Sequence, residues 1–213
     1  GHDDASSTWL LNIEDLNVAV TGDSLAVTDF ARFIAAEIAC NPWSRHTALD
    51  LVDVATEVEP ISPERIHVHK DVNTTAAQAV TEAVNVIDRL AEHDVGTPTA
   101  RAKQKDPDPW PSRVLIAGHD TDVAALTQLT ELMANHGGRT ATSVVLSGPD
   151  SGTAFAVHID ERRQLNIPSV NLTVTAVGPS ADEAHGCAAI LTQADERSDR
   201  PAPDLPGALP WQT

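Results

Sequence analysis

The stretch Asn17-Val18-Ala19-Val20-Thr21-Gly22-Asp23-Ser24, followed by Phe30, Phe33, Ile34 and Ile38, decides how this chain is read. An apolar block at residues 17–20 runs into a turn of Thr, Gly, Asp and Ser. The apolar residues beyond it then recur three and four apart, the period of a helix. The unit is strand, tight turn, helix. Asp23 or Ser24 carries the side-chain oxygen that an N-cap needs, and Asn41-Pro42 ends the helix because proline cannot continue one.

The alternation repeats outward from this unit. Residues 48–55 alternate in part and read as a second strand, and Ile66-His67-Val68-His69 as a third. Asn73-Thr74-Thr75 then opens a helix with Ala76, Val80, Val84, Ile87 and Leu90 as its apolar positions. Arg113-Val114-Leu115-Ile116-Ala117-Gly118 is a continuous apolar run of the kind found in buried parallel strands. It precedes a helix over 120–135 with Val123, Leu126, Leu129 and Met133 on one face, closed by Gly137-Gly138. Residues 142–147 form another buried strand, residues 155–159 and 172–177 two strands of a hairpin, and Ser180-Ala181-Asp182-Glu183 opens a last helix to about 194.

These units predict an α/β fold: a mostly parallel sheet with helices on both faces and antiparallel edge strands near the C-terminus. Residues 1–8 read as a disordered or tag-derived start, 9–194 as a single α/β domain with a flexible Pro-rich loop at 96–112, and 195–213 as a Pro-rich tail.

Composition narrows the function classes. The chain has 213 residues, of which 41% are hydrophobic and 3% aromatic, so its core rests on Val, Leu, Ile and Ala. Against 31 Asp and Glu stand 14 Lys and Arg, a net charge of -17 that repels a phosphate backbone, and Lys70, Lys103 and Lys105 are the only lysines. Nucleic acid is therefore not an expected partner. Cys40 and Cys187 have neither the density of a disulfide scaffold nor the spacing of a zinc site and are expected as buried thiols. No stretch reaches the roughly 20 apolar residues of a membrane span.

In a sheet of this kind ligands bind beyond the carboxyl ends of the strands, which directs attention to the turn at 21–28. A P-loop needs glycines that let amides face a phosphate, a lysine to neutralise it and a hydroxyl for magnesium. Thr21, Gly22, Asp23, Ser24 and Thr28 are the candidate anion or nucleotide site. Yet Val27 occupies the lysine position, and no lysine precedes residue 70. The turn reads either as an ordinary capped helix start or as a residual anion site. His119 and Asp120 form an acid/base candidate without a recognisable nucleophile elbow. His67 and His69 share a strand face and would chelate a metal only with a third ligand. Trp43, Trp110 and Trp211 lie near prolines and suit either packing anchors or exposed contacts.

The order Val18 to Ser24, then Ala31-Arg32-Phe33-Ile34-Ala35-Ala36-Glu37-Ile38-Ala39 and Asn41-Pro42-Trp43-Ser44, resembles the degenerate nucleotide-fold region of actinobacterial membrane proteins that combine a LysM segment with a bacterial transcriptional activator domain. That region is itself similar to FtsK-type DNA translocase and type VII secretion ATPase domains. Residues 113–118, the helix after them and Gly138-Arg139-Thr140-Ala141-Thr142-Ser143-Val144-Val145 resemble the Walker B strand, its helix and the next strand. The resemblance implies a degenerate RecA/FtsK-like fold across residues 9–194. It departs from the pattern where Ala117-Gly118-His119 stands in place of the magnesium-holding acid, with Asp120 too late to replace it.

Hydrolysis is therefore not expected. The expectation is a non-catalytic scaffold or protein-interaction domain of a larger bacterial, actinobacterial protein. Its partner would be another protein or another domain of the parent chain. The alternatives are a nucleotide or anion sensor without hydrolysis, with a nucleotide as the one cofactor, and a small hydrolase or metal-dependent enzyme. The resemblance and the low lysine content imply a cytoplasmic location, as the soluble domain of a membrane-anchored parent.

Overall fold

The computed structural model describes residues 11–92, 95–103, 112–148 and 155–195. Eight strands form one sheet: β1 (Asn17–Gly22), β2 (Thr47–Val52), β3 (Ile66–His69), β4 (Ser112–Ala117), β5 (Thr142–Ser147), β6 (Phe155–Ile159), β7 (Gln164–Ile167) and β8 (Leu172–Thr175). Their order is β3-β2-β4-β5-β1-β6-β7-β8. The first six run in one direction, with β1 between β5 and β6 (Val18 beside Val145 and Phe155). β7 and β8 add as an antiparallel meander. The mostly parallel sheet with its antiparallel edge is the architecture the strand-helix alternation implies.

Five α-helices cover the sheet: α1 (Ser24–Cys40), α2 (Val72–Ala91), α3 (Thr97–Lys103), α4 (Thr127–Asn135) and α5 (Ala181–Asp195). Side chains alternate along each strand, so β2 sends Leu49 and Leu51 to one face and Asp50 and Val52 to the other. On the first face the core joins Leu49, Leu51, Val114, Ile116, Val145 and Ile159 to Ala26, Val27, Ala31, Ala35 and Ala39 of α1. α5 covers that layer by packing on a 3-10 segment, Thr56–Ile61, where the Thr192 hydroxyl donates to the Pro60 carbonyl at 3.2 Å. On the second face Leu115, Ala117, Val144 and Leu146 meet Ala76 and Ala79 of α2 and Leu129 and Met133 of α4. Helices thus lie on both faces.

Four local readings are corrected. The hairpin partner of β6 is β7, and β8 pairs with β7 instead. Within the stretch read as a loop from 96, residues 97–103 are helical. Thr97 donates its N–H to the Gly138 carbonyl at 2.9 Å, and Ala100 packs with Val86, Leu90 and Ala141. Residues 104–111 of that loop, the start at 1–8, most of the tail, Trp110 and Trp211 lie outside the described residues.

The third corrected reading is the helix over 120–135, where Val123–Leu126 form a 3-10 turn and the α-helix begins at Thr127. The apolar spacing of α1 leaves its buried face open. Its buried residues are mainly alanines, while Phe30, Phe33, Ile34 and Ile38 are only half-buried. Small side chains let the helix backbone close on the sheet, which turns the bulky stripe to the side. The cysteines are the fourth. Cys40 and Cys187 are free and exposed, because α5 buries Ala184 and Ala188 in place of Cys187 and α1 buries Ala39 in place of Cys40.

Candidate functional site

At the carboxyl ends of the six co-directional strands, β1 passes into α1 through the single residue Asp23. All of its polar groups are engaged within the fold. Its N–H donates to the Ile159 carbonyl of β6 at 2.9 Å, its carbonyl accepts the N–H of Val27 at 2.9 Å, and its carboxylate accepts the N–H of Ala26 at 3.0 Å. The helix start is therefore capped by a fixed negative charge of the chain itself.

Other polar groups of the junction also bond within the chain. Thr28 donates its hydroxyl to the Ser24 carbonyl at 2.7 Å, and Thr21 lies 3.2 Å from His158 Nδ1. Gly22 adopts φ +121°, and a Cβ there would overlap the Ile159 carbonyl. Its glycine character serves the close passage of β6. Thr21, Gly22, Asp23, Ser24 and Thr28 are thus brought together at the β1–α1 junction, whereas Val27, at the position of a P-loop lysine, is 5% exposed and belongs to the core beneath α1.

The end of β4 is closed in a comparable way. Gly118 donates its N–H to the Val52 carbonyl at 2.8 Å, and a Cβ there would stand 2.6 Å from the carbonyl oxygen of Asp53. An acidic side chain at the tip of this strand has no room. His119 and Asp120 follow, both exposed, and no hydrogen bond joins them among the described residues. Asp122, two residues beyond Asp120, caps the next turn by accepting the N–H of Ala124 at 3.0 Å.

The rim is acidic. The residues that first follow the six co-directional strands are Asp23, Asp53, Lys70, Gly118, Gly148 and Asp160, with Asp71 and Asp122 close behind. Hydrogen bonds from the Thr74 hydroxyl and then the Asn73 N–H hold the Asp71 carboxyl below its ordinary pKa, so it is ionised at neutral pH.

His67 and His69 do share a face of β3, with ring centroids 6.4 Å apart. The structure adds a neighbour that the sequence did not single out. His69 Nε2 lies 2.6 Å from the carboxylate of Asp50, which is 1% exposed and also pairs with Arg113. Arg113 in turn holds both carboxylate oxygens of Glu82 on α2, at 2.8 and 2.9 Å. This is a structural charge network, and among the described residues no three His, Cys, Asp or Glu converge as metal ligands. The signal was present as a lone Asp inside the apolar strand Ala48-Leu49-Asp50-Leu51-Val52, since a buried carboxylate requires a cationic partner.

Partial burial, followed by the nearby Glu37 carboxylate, pushes the Cys40 thiol above its ordinary pKa and keeps it protonated.

A second feature lies at the opposite, amino-terminal edge of the sheet. A cleft of about 760 Å³ opens between the bulky stripe of α1 and the first residues of the central strands. Phe30, Phe33, Ile34 and Ile38 form one wall, Val18, Val114 and Val145 the floor, and Trp43 stands at its edge with 83% of its surface exposed. Its volume is in the range of ligand-binding clefts.

No protein-family model and no curated protein matches the sequence. The fold does match solved structures. EssC (ATPases 2 and 3) from Geobacillus thermodenitrificans is similar over 85% of this chain and 44% of its own, with TM-score 0.59 and 11% identity. The conjugation coupling protein TcpA of pCW3, in monomer form with ATPgS, is similar over 86% of this chain and 66% of its own, with TM-score 0.59 and 10% identity. The cytoplasmic domain of the Thermomonospora curvata type VII secretion ATPase EccC is similar over 84% of this chain and 27% of its own, with TM-score 0.58 and 12% identity. The chain shares an ATPase-like fold with them and spans less than two thirds of each.

Proposed function

We propose that this chain is a non-catalytic interaction domain built on an ATPase-like fold, acting as part of a larger protein. The observation that carries the proposal is the state of the carboxyl edge. Nucleotide hydrolysis on such a sheet needs a lysine near the phosphates and an acid that holds magnesium. Here the lysine position points into the core as Val27, and the strand tip that would bear the acid is Gly118, closed by the Asp53 carbonyl.

Charge supports the same reading. A triphosphate approaching this rim meets Asp23, Asp53, Asp71, Asp122 and Asp160, and the first turn of α1 is already capped by Asp23. This also weighs against a nucleotide sensor, because the amides that would hold a phosphate face a resident carboxylate. Among the described residues no helix is long and apolar enough to cross a membrane.

The test is an ATP and GTP turnover assay on the purified chain with magnesium. The proposal predicts no turnover above the buffer rate. Turnover that disappears when Gly22 or Asp23 is changed would overturn it.

A further inference from the structure

We infer that the cleft between α1 and the amino edge of the sheet is a docking site for a short amphipathic helix with a basic polar face, supplied by a protein partner. The inference rests on the interaction-domain reading for its occupant being protein, and on the cleft itself for where and how that partner binds.

The wall of the cleft has the dimensions of a helix groove. Phe30, Phe33, Ile34, Glu37, Ile38 and Asn41 all line it, and their spacing makes one straight stripe along α1. From first to last they span about 16 Å, the length of about three helical turns. A partner helix laid against such a stripe is read through anchors three and four residues apart.

The rim carries an exposed aromatic on a hydrogen-bonded turn. Trp43 sits in a 3-10 turn, Pro42–Ser44, whose N-cap Asn41 accepts the N–H of Trp43 at 2.9 Å. Ser44 donates its hydroxyl to the carbonyls of Ile38 and Asn41 at 2.8 and 2.9 Å, and Arg65 donates to the carbonyls of Ser44 and Ala39 at 2.9 and 2.7 Å. The turn beneath Trp43 is therefore fixed at its backbone while the indole itself is 83% exposed, a large aromatic of the type that dominates binding hot spots.

Charge selects the partner's polar face. Among the described residues no Lys or Arg lines the cleft, Glu37 does, and the chain as a whole carries -17. Lysine or arginine flanking the apolar anchors would therefore be attracted, and acidic residues repelled.

The experiment titrates the isotope-labelled chain with two synthetic helical peptides of about eleven residues sharing one leucine face. One bears lysine on its polar face and the other glutamate. The lysine peptide is expected to saturate, with amide shifts at residues 30–43 and a change in tryptophan fluorescence, and to bind at least about tenfold more tightly than the glutamate peptide. Trp43→Ala, at an exposed position, is expected to weaken it by about tenfold, and Glu37→Lys to erase the preference.

Equal binding of both peptides, or shifts away from α1 and Trp43, would overturn the proposal. So would concentration-dependent dimerisation through the cleft, which would make a second copy the occupant. A magnesium-ATP arm reads out separately at residues 21–28, so a failure of the interaction-domain reading is distinguishable from a failure of the cleft.

Discussion

Gly22 and Ile159 meet backbone to backbone where β1 ends. Gly22 turns at φ +121°, its missing Cβ leaves the space that the Ile159 carbonyl fills, and that carbonyl accepts the N–H of Asp23 at 2.9 Å. Gly22→Ala adds both a left-handed strain and a steric overlap, and is expected to cost about 3 kcal/mol in chemical denaturation. The loss would be of stability alone, since this glycine faces β6.

Val27 carries the first turn of α1 into the core. Its side chain is 5% exposed among Val18, Val20 and Ile159. Val27→Lys would bury an ammonium there and is expected to destabilise the chain by about 3 kcal/mol or more. Adding an acid at Gly118 would collide with the Asp53 carbonyl. Thermal melts of Val27→Lys with magnesium-ATP should show lowered stability and no nucleotide-dependent recovery.

The Asp50–Arg113 pair lies between the sheet and α2, with side-chain exposures of 1% and 10%. Removing one partner strands the other charge, so Asp50→Leu and Arg113→Met are each expected to cost about 3 kcal/mol. The double replacement should cost clearly less than the two together, because the two buried charges leave together and only the more exposed Glu82 and His69 lose a partner. Urea denaturation of the four chains in this cycle measures the difference.

Asp71 caps α2 as an anion, accepting the N–H of Asn73 at 3.0 Å, with the Thr74 hydroxyl bound to its other oxygen. Because its folded pKa is depressed, the stability it contributes is present above the ordinary carboxylate pKa and is lost as pH falls through the folded value. Asp71→Asn keeps a capping oxygen without the charge. Its melting temperature should lie below that of the parent chain at pH 7, and the gap should close as pH drops below about 4.

The sheet was legible because its parallel strands are continuous apolar runs, as in Val114-Leu115-Ile116-Ala117, and the helices between them carry a clear period. The start of α5 was legible too. Ser180 and Glu183 form a reciprocal capping box, with Ser180 donating both its N–H and its hydroxyl to Glu183 at 2.8 Å.

The phase of α1 was not. Hydrophobicity favours the Phe30-Phe33-Ile34-Ile38 side as the buried one, but close approach to the sheet selects the alanines, and that preference is set by tertiary packing. β7 was missed because Gln164-Leu165-Asn166-Ile167 is half polar and runs into Pro168. The succession of strand and helix at residues 17–40 was legible, whereas the engagement of Asp23 with Ile159 depends on a strand more than 130 residues away. Sequence spacing carries no trace of such a contact.

The most direct test of the account is equilibrium binding of magnesium-ATP to the unmodified chain, measured by dialysis with labelled nucleotide. The account predicts no saturable binding up to about 1 mM, because Asp23 occupies the helix start and Val27 and Gly118 leave no lysine or acid to replace it. Saturable binding of one nucleotide per chain, lost on changing Asp23, would contradict it and return the carboxyl edge to service as a nucleotide site.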